Sequence, residues 1–193
     1  VYFGQKKFMV ENETYSATSH CFYEWEVFYN SYGEMLLISK ESFGDYMFTD
    51  VPEGEWYSYS VLAETVLPNV KADLTQEEIE MIIPTEIVEP DGVAYPHEFF
   101  ILSVEEYAGI MGSRIYKVAS PEGDGYVDCW TRSTVTDEET GMIRPVVMDK
   151  NGAISVREPS ELYHICPAVW ITKPGYEGEA APEGEETEAV EGE

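Results

Sequence analysis

The order of elements readable in this 193-residue chain predicts an α+β fold, a small twisted antiparallel sheet with two or three short helices. Three observations lead there. Aromatic and β-branched residues alternate through residues 21–30 (CFYEWEVFYN) and pass over Ser31-Tyr32-Gly33-Glu34 into the apolar run 35–39, which reads as a hairpin. Two capping boxes, Thr75-Gln76-Glu77-Glu78 and Ser103-Val104-Glu105-Glu106, open short helices mid-chain. The C-terminal part returns to strands around Asn151-Gly152, a strong short-range hairpin signal. Strands, helices and strands in that order, without βαβ alternation, define the class.

Element by element, residues 2–10 form a short amphipathic strand. The run 35–39 (MLLIS) is nearly all apolar, as suits a strand buried on both faces. Residues 40–57 are irregular and aromatic, holding Phe43, Tyr46, Phe48, Trp56 and Tyr57 among Gly and Pro. A helix is predicted from Ser58 or Ser60 to Leu67, closed by Pro68. The helix capped at Thr75 carries Ile79, Ile82 and Ile83 and stops at Pro84, and the acids in its first turn favour its dipole. Residues 97–102 (HEFFIL) read as a central strand, and the helix opened by Ser103 ends near Gly109 or Gly112. Strands follow at 126–133, 143–149, 153–157 and 164–172.

The chain carries 11 Lys plus Arg against 38 Asp plus Glu, a formal net charge of −27. Nucleic acid and anionic membranes recruit basic patches, so neither is expected as a partner. No stretch approaches the roughly 18–20 apolar residues of a membrane helix, so no membrane insertion is expected. With 44% hydrophobic residues, the chain can bury a core. Eight of the acids lie in residues 177–193, which hold no Lys or Arg, so residues 1–176 keep a charge of −19. Residues 174–193 are accordingly expected to be an acidic disordered tail or linker, and residues 1–173 a single α+β domain. Val1 is not an initiator and VYFGQKKFMV lacks an apolar h-region, so the chain reads as processed or cut from a longer one.

Three scattered cysteines, Cys21, Cys129 and Cys166, read as buried thiols. A Cys129–Cys166 bond is an option if their strands are neighbours. The histidines His20, His97 and His164 come without a G-x-S-x-G or H-E-x-x-H motif and read as structural or surface residues. With 38 acids, carboxylate pairs are unavoidable and identify no glycosidase. Glu122, Asp124 and Asp128, and the run Asp137-Glu138-Glu139, are oxygen donors on loops that suit Ca²⁺, though neither segment fits the D-x-[DN]-x-[DN]-G pattern. No other cofactor is expected.

Several segments together resemble the bacterial family called domain of unknown function 6273. The matching motifs are Glu24-Trp25-Glu26-Val27, Leu36-Leu37-Ile38-Ser39, Phe100-Ile101-Leu102-Ser103-Val104-Glu105-Glu106, Trp130-Thr131-Arg132-Ser133, Asp149-Lys150-Asn151-Gly152 and Pro167-Ala168-Val169-Trp170-Ile171. They run in order across residues 1–173. Two departures stand out. Cys166 replaces an Arg before Pro-Ala, and Leu62, Glu64 and Thr65 replace the family's R-x-W-L-N positions. The resemblance implies a distant similarity to C-type-lectin-like domains of the formylglycine-generating-enzyme kind, and with it a compact α+β domain with a loop surface suited to ligand binding.

Trp130 and Arg132 lie two apart, on one face of a strand. They are either an aromatic platform beside a cation or a core Trp and a structural ion pair, and the scarcity of Arg in an acidic body favours the second. Tyr is concentrated in turns and loops (Tyr29, Tyr32, Tyr46, Tyr57, Tyr59, Tyr95, Tyr116 and Tyr126), where it serves binding surfaces or packs loops onto a small core. The expected function is a non-catalytic binding or adhesion module of a bacterial surface or secreted protein, extracellular or at the cell surface. Its ligand would be a glycan or protein, held by Trp56, Tyr57, Tyr116, Tyr126, Trp130 and Arg132. The alternatives are a hydrolase or degenerate formylglycine-generating-type enzyme, and a purely structural envelope domain.

Overall fold

The computed structural model describes residues 1–12, 15–31, 33–111, 116–123 and 125–175, and the side chains of these outside 6–22, 31 and 110–111. The expected tail, apart from Pro174 and Gly175, lies outside the described residues, as does Asp124.

The predicted N-terminal hairpin is present and longer than expected. β1 (Tyr2–Asn12) pairs antiparallel with β2 (Tyr15–Ser31), and β2 with β3 (Glu34–Ser39). Gly33 sits at φ +82°, a left-handed turn conformation that suits a residue without Cβ. β3 is buried from Met35 to Ser39, as its unbroken apolar run requires.

After β4 (Asp45–Tyr46), the chain makes a 3₁₀ turn at Tyr57–Tyr59, a π-helical turn at Leu62–Val66 and a 3₁₀ segment at Leu67–Asp73. Pro68 does not close the helical region, contrary to expectation. It occupies the first turn of the 3₁₀ segment, where its missing N–H forfeits no bond.

The capping box at α1 (Gln76–Glu80) forms in full: Thr75 Oγ1 accepts from Glu78 N at 3.3 Å, and Glu78 Oε2 accepts from Thr75 N at 2.8 Å. Glu78 Oε1 also accepts from Gly4 N at 2.8 Å, tying β1 to the helix. Burial pushes the Glu78 carboxyl up, but the N–H donors of Gly4 and Thr75 outweigh it and hold it below its ordinary value. The helix ends sooner than its isoleucines suggest. Ile82–Ile83 is strand β5, paired with Trp170 and Ile171 of the last strand, so tertiary pairing overrides a short helical period.

Next come β6 (Thr85–Val88) and β7 (Ala94–His97), then β8 (Phe100–Ile101). The expected strand 97–102 is therefore split between β7 and β8. α2 (Val104–Met111) starts with the second predicted box, Ser103 Oγ accepting from Glu106 N at 3.1 Å and Glu106 Oε2 from Ser103 N at 3.0 Å. β9 (Cys129–Thr136), β10 (Ile143–Met148), β11 (Ile154–Val156), β12 (Tyr163–His164) and β13 (Pro167–Thr172) complete the chain. The Asn151-Gly152 turn joins β10 to β11 as expected: Gly152 takes φ +83°, and Asp149 Oδ1 accepts from Asn151 N and Ala153 N, each at 2.8 Å.

The class is α+β, mostly antiparallel strands in a curled half-barrel with few short helices. The strands make more than the one small sheet anticipated. One sheet runs β1-β2-β3-β13-β5 with β8 also on β13, a second runs β11-β10-β9-β12-β4, and β6-β7 stands apart as a ribbon. The β9–β12 pairing is parallel. One hydrophobic core, reaching from Phe3 to Ile171, draws on both larger sheets through Trp25, Leu37, Ile38, Trp130, Ile165 and Val169. Cys129 and Cys166 are buried and free, so the conditional disulfide is not formed; desolvation pushes both thiols upward. Cys166 donates to the Ser39 carbonyl at 3.0 Å. No helix among the described residues is long and apolar enough to cross a membrane.

Candidate functional site

The six residues singled out in the sequence do not converge on one concavity. Trp130 is fully buried, donates from Nε1 to Tyr46 O at 2.8 Å, and packs edge-on to Phe48 and Tyr163 at 5.6 and 4.9 Å. Arg132 grips Glu106 with both terminal nitrogens, Nη2 at 2.6 Å from Oε1 and Nη1 on Oε2, fastening β9 to α2. The Trp130–Arg132 pair therefore has the core-and-ion-pair arrangement and is no open platform. Tyr57 is buried, its hydroxyl accepts from Ile101 N at 3.3 Å, and desolvation pushes its pKa well up. Tyr116 is buried and donates to Ser39 O at 2.8 Å. Tyr126 is exposed, with Lys117 Nζ 5.1 Å from its ring centre. It borders an open hollow of about 320 Å³ that also includes Asp45, Asp128 and His164.

The acidic loops are used locally. Asp128 Oδ1 accepts from Lys150 N at 3.0 Å. Asp137 Oδ1 accepts from Glu139 N and from Thr140 N and Oγ1, and these bonds, Thr140's foremost, hold its carboxyl low. Among the described residues no group of three or more His, Cys, Asp or Glu is gathered that could hold a metal ion.

Trp56, by contrast, belongs to an aromatic group. Its ring lies 6.2 Å from Tyr59, and Tyr59 lies 5.1 Å edge-on to Tyr95. Trp56 Nε1 is buried without a hydrogen-bond partner, one of two such side-chain atoms among the described residues. Beside this group lies a hollow of about 560 Å³, between the helical segment 57–73 and the β6-β7 ribbon. Ser58, Ala63, Glu64 and Pro68 line it from the helical side. Pro84, Tyr95, Pro96, His97, Glu98 and Phe99 line it from the ribbon and the strand beyond.

The ribbon is placed by its own turn and by four ties to the 3₁₀ turn. Gly92 N donates to Glu89 O at 2.8 Å and Asp91 Oδ1 accepts from Val93 N at 2.9 Å, a Pro90-Asp91-Gly92 turn. Buried Glu89 accepts from Ser58 N at 2.7 Å through Oε1, and Ser58 Oγ meets His97 Nε2 at 3.0 Å. Tyr59 donates to Asp91 Oδ2 at 3.3 Å and shares a short hydrogen bond with the Tyr95 hydroxyl. Tyr95 stands out in the sequence only as one of the loop tyrosines and His97 only as a structural or surface histidine; neither is among the six expected site residues. The signal for them was present, since Pro-Asp-Gly between two short β-prone runs is a turn with a mechanism.

His97 lines this hollow and is half-buried. Desolvation lowers its pKa; Glu89 pulls it up and Arg132 pushes it down, with the net shift downward. The folded state thus binds the His97 proton less readily than the unfolded chain, whose reference value is 6.5. The stability contributed by neutral His97 is complete above that value and is lost as pH falls towards the folded pKa. Urea midpoints measured at about pH 8 and about pH 5 should show this loss, and His97→Gln should reduce it. An unchanged pH dependence in the variant rules the assignment out.

A Ser–His contact is half of a nucleophilic arrangement. The other half, a group orienting the far imidazole nitrogen, does not appear among the described residues: Glu89 spends Oε1 on Ser58 N instead. A second Ser–His contact, Ser42 Oγ to His164 Nδ1 at 2.8 Å, anchors Ser42, which is buried. These two Ser–His contacts each link a loop or turn residue to a strand residue. Comparisons with protein-family models, with curated proteins and with solved structures find no match for this chain.

Proposed function

We propose that this chain is a non-catalytic binding module and that its ligand enters the hollow between residues 57–73 and the β6-β7 ribbon. One observation carries the reading: a hollow of about 560 Å³ walled by Tyr95, Phe99 and three prolines, with a few polar groups (Ser58, His97, Glu64, Glu98) converging on it. Ligand sites share that make-up of apolar walls and few orienting polar atoms. The adjoining Trp56–Tyr59–Tyr95 array supplies rigid aromatic area of the kind used in recognition.

The motif resemblance supports a wider proposal: membership of the 6273-type family, a C-type-lectin-like arrangement of loops over the sheets, and a place on a bacterial surface or in a secreted protein. The high acidity suits an exposed, soluble setting. The ligand class under this reading is a glycan or a protein segment.

The test is a glycan and peptide array probed with the full chain, with and without Ca²⁺. Saturable binding that Tyr95→Ala removes is the expected result. Binding that survives Tyr95→Ala and Ala63→Phe, the latter filling the hollow, assigns recognition to another surface.

A further inference from the structure

We propose that the hollow beside the β6-β7 ribbon takes an organic cation, a primary ammonium group carried on an apolar stem, supplied as a free amine or as a lysine side chain. The inference rests on the binding reading above and adds the chemistry of the ligand.

The walls select the stem. Ala63, Pro68, Pro84, Pro96 and Phe99 offer apolar surface and no side-chain hydrogen-bonding atom. Hydroxyls set against those five walls find no partner, which is costly, so of the two ligand classes above they favour a protein segment over a glycan.

The charges select the head. Two carboxylates, Glu64 and Glu98, border the hollow, and no Lys or Arg lines it. Glu98 is matched by Lys71 at 2.7 Å. Glu64 is exposed, and its side chain makes no hydrogen bond or ion pair among the described residues. Buried Glu89, which accepts from the backbone N of the lining residue Ser58, adds a further acid next to the hollow. His97 adds no positive charge near neutrality, because desolvation lowers its pKa. The hollow is therefore negative, beside an aromatic ring, Tyr95, that attracts cations through its quadrupole. An anionic ligand meets Glu64, and the nearby Lys71 is already matched by Glu98. The charge of −27 on the chain also draws cations from a distance.

The test is calorimetric titration of the full chain with protonated phenethylamine, with its neutral isostere 2-phenylethanol, with the anion 3-phenylpropionate, and with an acetylated Gly-Lys-Gly amide. Saturable binding is expected for phenethylamine or the lysine peptide, and which of the two binds tells the source of the ammonium. The alcohol and the carboxylate should bind more weakly. Glu64→Gln combined with Glu98→Gln should weaken binding roughly fivefold, since each partly exposed charge contributes modestly and Lys71 is left unmatched. Glu138→Gln combined with Glu139→Gln, the same charge change in the β9–β10 connection, which does not line the hollow, should leave binding unaltered. Equal or tighter binding of the alcohol or the carboxylate overturns the cation assignment while the binding reading stands. No binding of any of the four probes, together with a blank array, overturns both.

Discussion

Trp130→Ala is expected to destabilise the fold by roughly 3–5 kcal/mol, the range for deleting a large buried aromatic side chain. Trp130 is fully buried in β9, in the core that both larger sheets share, touching Phe48 and Tyr163 edge-on. Its removal leaves a cavity that these rigid rings cannot fill. It also strips the Tyr46 carbonyl of the indole N–H that donates to it at 2.8 Å, loosening β4 from the edge of the five-stranded sheet. Trp130→Phe keeps part of the ring volume and should cost less, while still orphaning that carbonyl. Urea denaturation with tryptophan fluorescence and far-ultraviolet circular dichroism measures both variants. An unchanged midpoint in Trp130→Ala contradicts the central place assigned to this side chain.

Gly54→Ala is expected to be the second large loss, about 3 kcal/mol, through backbone geometry alone. Gly54 has φ +77°, and a left-handed conformation costs a residue with Cβ about 1–2 kcal/mol. A Cβ there would lie 1.7 Å from the carbonyl oxygen of Ile143, far inside van der Waals contact. One of the two segments must therefore shift, at an overpacking cost of about 1–3 kcal/mol. The contact is held on both sides: Gly54 N donates to Val51 O at 2.9 Å and Ile143 N to Glu53 O at 2.8 Å. Thermal unfolding of Gly54→Ala against Gly92→Ala separates the two terms. Gly92 has φ +81° with nothing within 4 Å of its would-be Cβ, so it reports the conformational cost by itself. Equal losses at the two positions show that the approach to Ile143 is not tight.

The legible parts of the sequence are those whose physics is local. Both capping boxes join residues three apart, and both form as read. The Gly33 and Asn151-Gly152 turns are decided by which residues tolerate positive φ. The apolar run of β3 and the alternation of β2 follow from strand period. Misreadings occurred where a distant partner outweighed local preference. Ile82 and Ile83 fit a helical period but pair as a strand with β13, nearly ninety residues on. Pro68 is a stop signal only if the helix around it is α; at the start of a 3₁₀ turn it is accommodated.

The candidate site was less legible for the same reason. Aromatic content flagged Trp56, Tyr57, Tyr116 and Tyr126 alike, because composition does not tell a ring that fills the core from one that meets solvent. Folding sorts them: Tyr57 and Tyr116 go inside, Tyr126 goes out, and Trp56 joins Tyr59 and Tyr95. By itself the sequence determined an acidic α+β chain, its helix starts and its hairpin turns, because caps and turns are contacts of a few residues. The hollow, the seating of its ribbon and the lowered pKa of His97 were decided by tertiary structure. The bonds that make them, Ser58 to Glu89, Tyr59 to Tyr95 and Ser58 to His97, span 31, 36 and 39 residues, distances over which no local propensity acts.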